Sequence, residues 1–291
     1  MKIEHFVLTR FNLNIRTFRK YGDWHGCDPA YLDRRFELFE RYCLPAMKRQ
    51  LVPFRWLVFF SSQTPAGYRE RLQALSAGFP ALEPIFVNDE TPLDGVSKSD
   101  AVMCPVLNRL SDDADYFITT RIDNDDAFNV LTLSWIRAAV EERLARERPD
   151  RFFVLLRNGN VYHEGRSFTQ EYRWDLNHFP SLVCARGIRA QVLDVEHTKV
   201  KASGVPFVIC TRPHAWLEVV NGSNLTNGFR PYCRSRFLSR EELRTQFAIE
   251  TDMTFAGHAS VFLRSYLPAV IRYQLSKLKR RMTGRGGRSC G

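Results

Sequence analysis

Three carboxylates fall within four residues at Asp123, Asp125 and Asp126, directly after the apolar run 116–122. Carboxylates bunched this closely are costly to bury unpaired. A hard divalent cation relieves that cost, and Mg2+ or Mn2+ favours oxygen ligands of this kind. The same composition also suits an ordinary turn, in which Asp and Asn bond their own backbone. What precedes the cluster favours the functional reading. Tyr116, Phe117, Ile118, Thr119, Thr120 and Ile122 are aromatic or β-branched, as a buried strand prefers. The cluster is therefore expected at the C-terminal edge of a strand, which is where open α/β sheets bind ligands.

The elements that must position this edge can be read in order. Residues 3–11 predict a first strand. Residues 28–48 predict a helix, with Pro29 at its first turn and Leu32, Phe36, Phe39, Tyr42 and Cys43 on one face. The run FRWLVFF at 54–60 is the near-continuous apolar strand of a parallel sheet. Helices over 67–77 and 98–110 alternate with strands over 82–87 and 116–122. This β-α-β-α-β-α-β order predicts an α/β fold, a Rossmann-like and mostly parallel sheet flanked by helices. Beyond the cluster, residues 131–147 predict an amphipathic helix and 152–156 a strand. Asn158-Gly159-Asn160 reads as a hairpin turn, 205–210 as a short strand, and Ser239 with Glu242 as a capping box. The stretch up to about residue 183 has no clear period.

The chain has 291 residues, 44% apolar and 25% charged, which suits one large α/β domain or two small ones. No apolar run has the ~20 residues of a membrane span, and the N-terminus reads as a first strand rather than a signal peptide. Seven scattered cysteines form no CxxC pair. They argue against a zinc site or a disulfide framework and lead us to expect a reducing, cytoplasmic setting. The formal charge of +10 calls for anionic partners: nucleotide diphosphates, an anionic membrane surface or nucleic acid. Basic residues crowd the end, at 272, 277, 279, 280, 281, 285 and 288, beside the helically spaced Ile271, Leu275, Leu278 and Met282. We expect a main domain over 1–271 and a basic amphipathic, then flexible, tail over 272–291. That tail suits peripheral contact with an anionic membrane, and equally a solvated terminal helix.

Four segments then carry a resemblance: HFVLTRFN at 5–12, FRWLVFFSSQTP at 54–65, TRIDNDDAF at 120–128 and WLEVVNGSNLTN at 216–227. Together they resemble the GT-A glycosyltransferases and, more narrowly, the rhamnosyltransferase family of bacterial polysaccharide synthesis. Asp123-Asn124-Asp125 matches the Asp-x-Asp motif of that fold, and Asp126 extends it. The resemblance covers most of residues 3–230. It departs at Asn221, where the family motif usually has His, and this weakens a metal-ligand or base role there.

The resemblance implies a metal-dependent glycosyltransferase with Mn2+ or Mg2+ as cofactor. The donor would be a nucleotide sugar, with dTDP-rhamnose the named candidate, and the acceptor a glycan or a lipid-linked glycan. It implies that Asp125 coordinates the metal and that Asp123 faces the ribose or binds through water. Asp126 is a further ligand or a helix cap. Arg10, Asn12 and Asn14 would touch the nucleobase and ribose. Arg121 is a candidate for a phosphate oxygen, or neutralises the Asp cluster. His197 and His214 are candidates for the metal or diphosphate side, His214 as a metal ligand and His197 toward sugar or acceptor. Asn221 and Asn224 could meet sugar hydroxyls. Trp216 and Trp174 could stack on sugar faces or pack in the core. For an inverting transfer the acceptor base would come from Asp194, Glu196, Glu218, Glu250 or Asp252, among which the sequence does not choose. Two rivals stand beside this reading. A two-metal nuclease or phosphotransferase would also use clustered Asp, but no second carboxylate cluster appears, so nucleic acid is disfavoured. The other rival is a non-catalytic carbohydrate-binding protein of the same fold.

Overall fold

The computed structural model describes residues 1–15, 25–222 and 228–282. The first half alternates as expected. Strand β1 (Ile3–Arg10) is followed by α1 (Pro29–Leu38), which continues through a π turn at Phe39–Cys43 into α2 (Leu44–Lys48). Next come β2 (Arg55–Ser61), α3 (Ala66–Gly78), β3 (Leu82–Val87), α4 (Gly95–Leu107) and β4 (Tyr116–Arg121). A two-residue strand β5 (Ala127–Phe128) and helix α5 (Thr132–Arg146) close this half. The second half is β6 (Arg151–Leu156), β7 (Asn158–His163), β8 (Phe168–Arg173), β9 (Ser181–Ala185), β10 (Phe207–Cys210), β11 (Trp216–Val220) and β12 (Arg234–Ser235). Helices α6 (Arg240–Phe247), α7 (Phe255–Val261) and α8 (Leu267–Met282) complete it.

Seven strands form the central sheet in the order β10-β6-β9-β4-β1-β2-β3. The β1/β2, β2/β3, β1/β4 and β6/β10 pairs are parallel, and β9 runs antiparallel between β4 and β6. The result is the mostly parallel, helix-flanked α/β sheet expected from the sequence. Strand side chains alternate between faces. Trp56, Val58 and Phe60 of β2 join one buried cluster with Phe36, Phe39, Ile118 and Ile136. Leu57 and Phe59 join the opposite one with Phe6, Leu8, Val102 and Phe117. A second sheet, β12-β8-β7-β11-β5, lies over Leu238, Leu243 and Phe247.

One expectation needs correction. Asn158-Gly159-Asn160 is no hairpin turn. It lies inside β7, where Gly159 faces Tyr172 across the ladder, and the β7–β8 turn comes at 164–167. Glycine is needed there for another reason: a Cβ at 159 would overlap the Trp216 ring. Strands β8 and β9 occupy a stretch whose sequence shows no period, because they are short and buried by long-range pairing. The boundary expected at 271/272 falls inside α8, a single helix from 267 to 282. Among the described residues no helix is long and apolar enough to cross a membrane, and the described cysteines are free.

One buried group makes a stability prediction. His5 on β1 is fully enclosed, with Nε2 2.7 Å from Thr120 Oγ1. Burial, aided by Arg137, lowers its pKa to about 3. A histidine held neutral in the fold but titrating near 6.5 when unfolded stabilises fully above 6.5 and loses that contribution as pH falls. Between pH 7 and pH 5 the loss should be roughly 2 kcal/mol. Urea unfolding at both pH values should show it in the wild type and much less of it in His5→Asn. Equal pH dependence in the two proteins would contradict the assignment.

Candidate active site and metal centre

Strand β4 ends at Arg121, and the chain then turns through Ile122 to the carboxylates. The turn is held from two sides. Strand β5 pairs antiparallel with Trp216 and Leu217 of β11, which brings the Val219 N–H to within 2.9 Å of Asp126 Oδ1. On the other side, β9 pairs with β4 so that Ser181 faces Thr120. His178 lies three residues before β9 and so reaches the same edge. His178 Nε2 lies 2.8 Å from Asp126 Oδ2. One ligand atom from each of Asp123, Asp126 and His178 lies within 4.8 Å of the other two. Two carboxylate oxygens and an imidazole nitrogen form a donor set that fits a divalent cation, Mn2+ tolerating the nitrogen better than Mg2+.

The electrostatics agree with that fit. Burial works against charge on Asp123, but Arg121, His178 and Arg10 outweigh it and hold its carboxyl well below the usual range. Burial would also lower His178. The hydrogen bond and charge of Asp126 reverse this and raise it to about 9. Burial and the Asp125 charge in turn push Asp126 up to about 7, so at neutral pH the His178–Asp126 pair shares a proton between ring and carboxylate. A cation bound there would displace that proton, since metal ligation needs the neutral imidazole.

Cations gather on the other flank. Arg121 grips Asp123 through Nη2 at 2.8 Å and Nε at 3.2 Å. Burial and the Arg121 charge lower Arg10 to about 10. Burial and Arg10 likewise lower Lys98, a residue of α4. His197 places Nδ1 3.5 Å from Arg121 Nη1. Its ring centroid is 6.1 Å from that of His178 and 6.3 Å from that of Trp174. Burial, with Arg121 and His178, lowers His197 to about 4, so it stays neutral. Three buried or half-buried cations in mutual repulsion beside a carboxylate–imidazole cluster suit a multiply charged anion.

The family model described as "Putative rhamnosyl transferase" matches residues 8–231. The chain belongs to this family. The carboxylate edge just described falls within the matched segment. No curated protein matches the chain. Among solved structures it is similar to S. aureus TarS 1-349, at 11% identity and a TM-score of 0.40, covering 76% of this chain and 61% of that one. TarS 1-349 in complex with UDP gives 13% identity and a TM-score of 0.41 over the same shares. A 4-diphosphocytidyl-2C-methyl-D-erythritolsynthase from Anaerococcus prevotii gives 11% identity and a TM-score of 0.32, covering 85% of this chain and 97% of that one. The chain thus spans 61% of the length of the TarS chains it matches, and likenesses this distant bear on neither site nor ligand.

The remaining candidates divide. Asp125 stands apart from the ligand group. Its Oδ2 accepts from Arg35 Nη1 at 3.0 Å and from Asn221 Nδ2 at 2.9 Å. Arg35 and Asn221 orient this carboxylate, as Arg121 orients that of Asp123. Asp126 caps no helix, because both of its oxygens are engaged by Val219 and His178. Asn12 and Asn14 are built into the loop. Asn12 bonds Gly26, Thr64 and Ser61, and Asn14 bonds Asp89 through its side-chain amide at 3.1 Å. His214 Nδ1 lies 2.8 Å from the Asn160 amide and is not part of the ligand group. Trp216 is fully buried against Phe179, with Nε1 donating to the Leu156 carbonyl at 2.9 Å. It presents no face to a sugar, whereas Trp174 is exposed. Asn224 lies outside the described residues.

Of the five carboxylates considered as acceptor bases, Glu218 faces the site. Burial opposes its charge, but His178 and Arg230 hold it below its usual range, and Arg230 Nη1 donates to it at 2.7 Å. Asp194 instead closes the capping box around Gln191, and Glu196, Glu250 and Asp252 lie at or near the surface. Sequence reading missed His178, Arg35 and Lys98. None had a local signal: His178 sits in an aperiodic stretch, while Arg35 and Lys98 read as solvated helix faces.

Proposed function

We propose that this glycosyltransferase is metal-dependent and transfers rhamnose, with dTDP-rhamnose the leading donor, to a glycan or lipid-linked acceptor. The observation that carries the reading is the Asp123–Asp126–His178 group facing Arg10, Arg121 and Lys98. A bound Mn2+ or Mg2+ supplies Lewis-acid stabilisation for the charge that appears on the departing nucleoside diphosphate. Arg10 and Arg121 add fixed positive charge for the same oxygens in a partly dehydrated setting. Trp174, exposed beside His197, offers a face for a sugar ring. Glu218, oriented by Arg230, is the carboxylate we assign to the acceptor hydroxyl in an inverting transfer. A two-metal nuclease would need a second ligand group, and among the described residues Asp123, Asp126 and His178 form a single one.

A thermal-shift panel of UDP-, GDP-, dTDP- and CMP-sugars, with and without Mn2+, tests this reading. A ligand that binds the native state raises Tm by mass action, about 2.7 kcal/mol of stabilisation at a hundredfold excess over Kd. One nucleotide class, dTDP on this reading, should shift Tm with Mn2+ and lose most of that shift in EDTA. A shift indifferent to EDTA would contradict the metal assignment, and a shift confined to another base would contradict the donor.

A further inference from the structure

Formal charge is nearly balanced over residues 1–254, with 34 Lys and Arg against 32 Asp and Glu. Residues 255–291 carry eight Lys and Arg and no acid. Up to residue 282 this segment forms one helical arm: α7, a π turn at Phe262–Tyr266, and α8. Its inner side is anchored on the second sheet. Tyr266 is buried and donates to the Cys233 carbonyl. His258 is buried, stacks on Phe168 at 4.5 Å and lies 3.1 Å from Ser235 Oγ.

The outer side is apolar and uncovered. Leu263, Leu267, Ile271, Leu275 and Leu278 are exposed at steps of four, four, four and three residues, which places them along one helix face. Leu263 is 62% exposed and Leu275 61%. Arg264 and Arg272 each follow a stripe residue by one position. With Arg166 from the β7–β8 turn they line a cavity of about 540 Å3, closed by Phe229 and Pro268. Arg166 lies over the Phe229 ring at 5.1 Å, and no described carboxylate pairs with any of the three guanidiniums.

We propose that this face seats the enzyme on an anionic lipid bilayer. The Leu263–Leu278 stripe enters the interface, and the Arg166/Arg264/Arg272 cavity takes the phosphate of an anionic headgroup. An apolar stripe flanked by cations, on a segment without a single acid, is the complement of such a surface. An aqueous setting gives the stripe no counterpart. The inference goes beyond the proposed function and does not depend on the metal site.

Co-sedimentation of the full chain with phosphatidylcholine vesicles, with and without phosphatidylglycerol, tests it. Binding should require phosphatidylglycerol and weaken as salt rises. Arg264→Ala and Arg272→Ala should each lower the partition coefficient about fivefold. Ile271→Asp/Leu275→Asp should abolish binding while leaving nucleoside-diphosphate binding and Tm in place, since both residues are exposed. Equal sedimentation with neutral vesicles, or unchanged binding in the aspartate variant, would overturn the proposal. So would inorganic phosphate binding that depends on Arg264 and Arg272 without vesicle binding, which makes the cavity a free-anion site. A dimer that the aspartate variant dissolves, again without vesicle binding, would put a second copy of the chain on this face and overturn it as well.

Discussion

Asp126→Asn should lower kcat on the order of a hundredfold to a thousandfold, the usual cost of removing one preorganised charge stabiliser. Asparagine keeps an oxygen for the Val219 N–H, which now reaches Asp126 Oδ1 at 2.9 Å, so the turn should survive. What it removes is a charged ligand and the anion that holds His178 protonated. Asp125→Asn should behave differently. Arg35 and Asp125 are both largely buried and pair at 3.0 Å. Breaking a buried pair by neutralising one partner leaves the other charge uncompensated and destabilises by about 3 kcal/mol or more. Steady-state kinetics and urea unfolding on both variants separate the two roles. A large stability loss in Asp126→Asn with turnover retained, or the reverse pattern in Asp125→Asn, would contradict the assignment.

Trp216→Ala should cost about 3–5 kcal/mol of folding stability, the range for removing a large buried aromatic. The ring stacks on Phe179 at a centroid distance of 5.0 Å and meets Tyr172 edge-on at 5.8 Å. Its loss would also strip the Leu156 carbonyl of its donor. Gly159→Ala should be destabilising from the opposite strand, since a methyl there collides with the same ring. Denaturant midpoints measure both. If Trp216→Ala instead raised donor or acceptor KM with stability intact, the tryptophan would be a sugar platform after all.

These two residues mark where sequence reading succeeds and where it stops. The carboxylate edge was legible because β4 is an unbroken β-branched and aromatic run ending in charges that no core tolerates. The parallel half of the sheet was legible for a similar reason, since β2 is buried on both faces and reads apolar from Trp56 to Phe60. His178 was not legible. It reaches Asp126, 52 residues earlier in the chain, only because β9 inserts antiparallel between β4 and β6, and no local period encodes that pairing. Trp216 was left open between a sugar platform and the core, because an aromatic in a strand looks the same in either place. What decides is the missing Cβ of Gly159 on a different strand. Asp125 fits the Asp-x-Asp spacing, yet spacing does not reveal that an α1 guanidinium occupies its oxygen. The boundary at 272 followed a change in charge, whereas the helix that carries the charge begins at Leu267.

Asp123, Asp126 and His178, rather than Asp125, should hold the divalent cation. Calorimetric titration of Mn2+ into the wild type, Asp126→Asn and Asp125→Asn, each with nucleoside diphosphate present, tests it most directly. Asp126→Asn should lose at least about tenfold in Mn2+ affinity, as even an outer-shell change can cost that much. Asp125→Asn should stay within a few fold of the wild type at a temperature where it is folded. Unchanged Mn2+ affinity in Asp126→Asn, with affinity lost in Asp125→Asn, would contradict it.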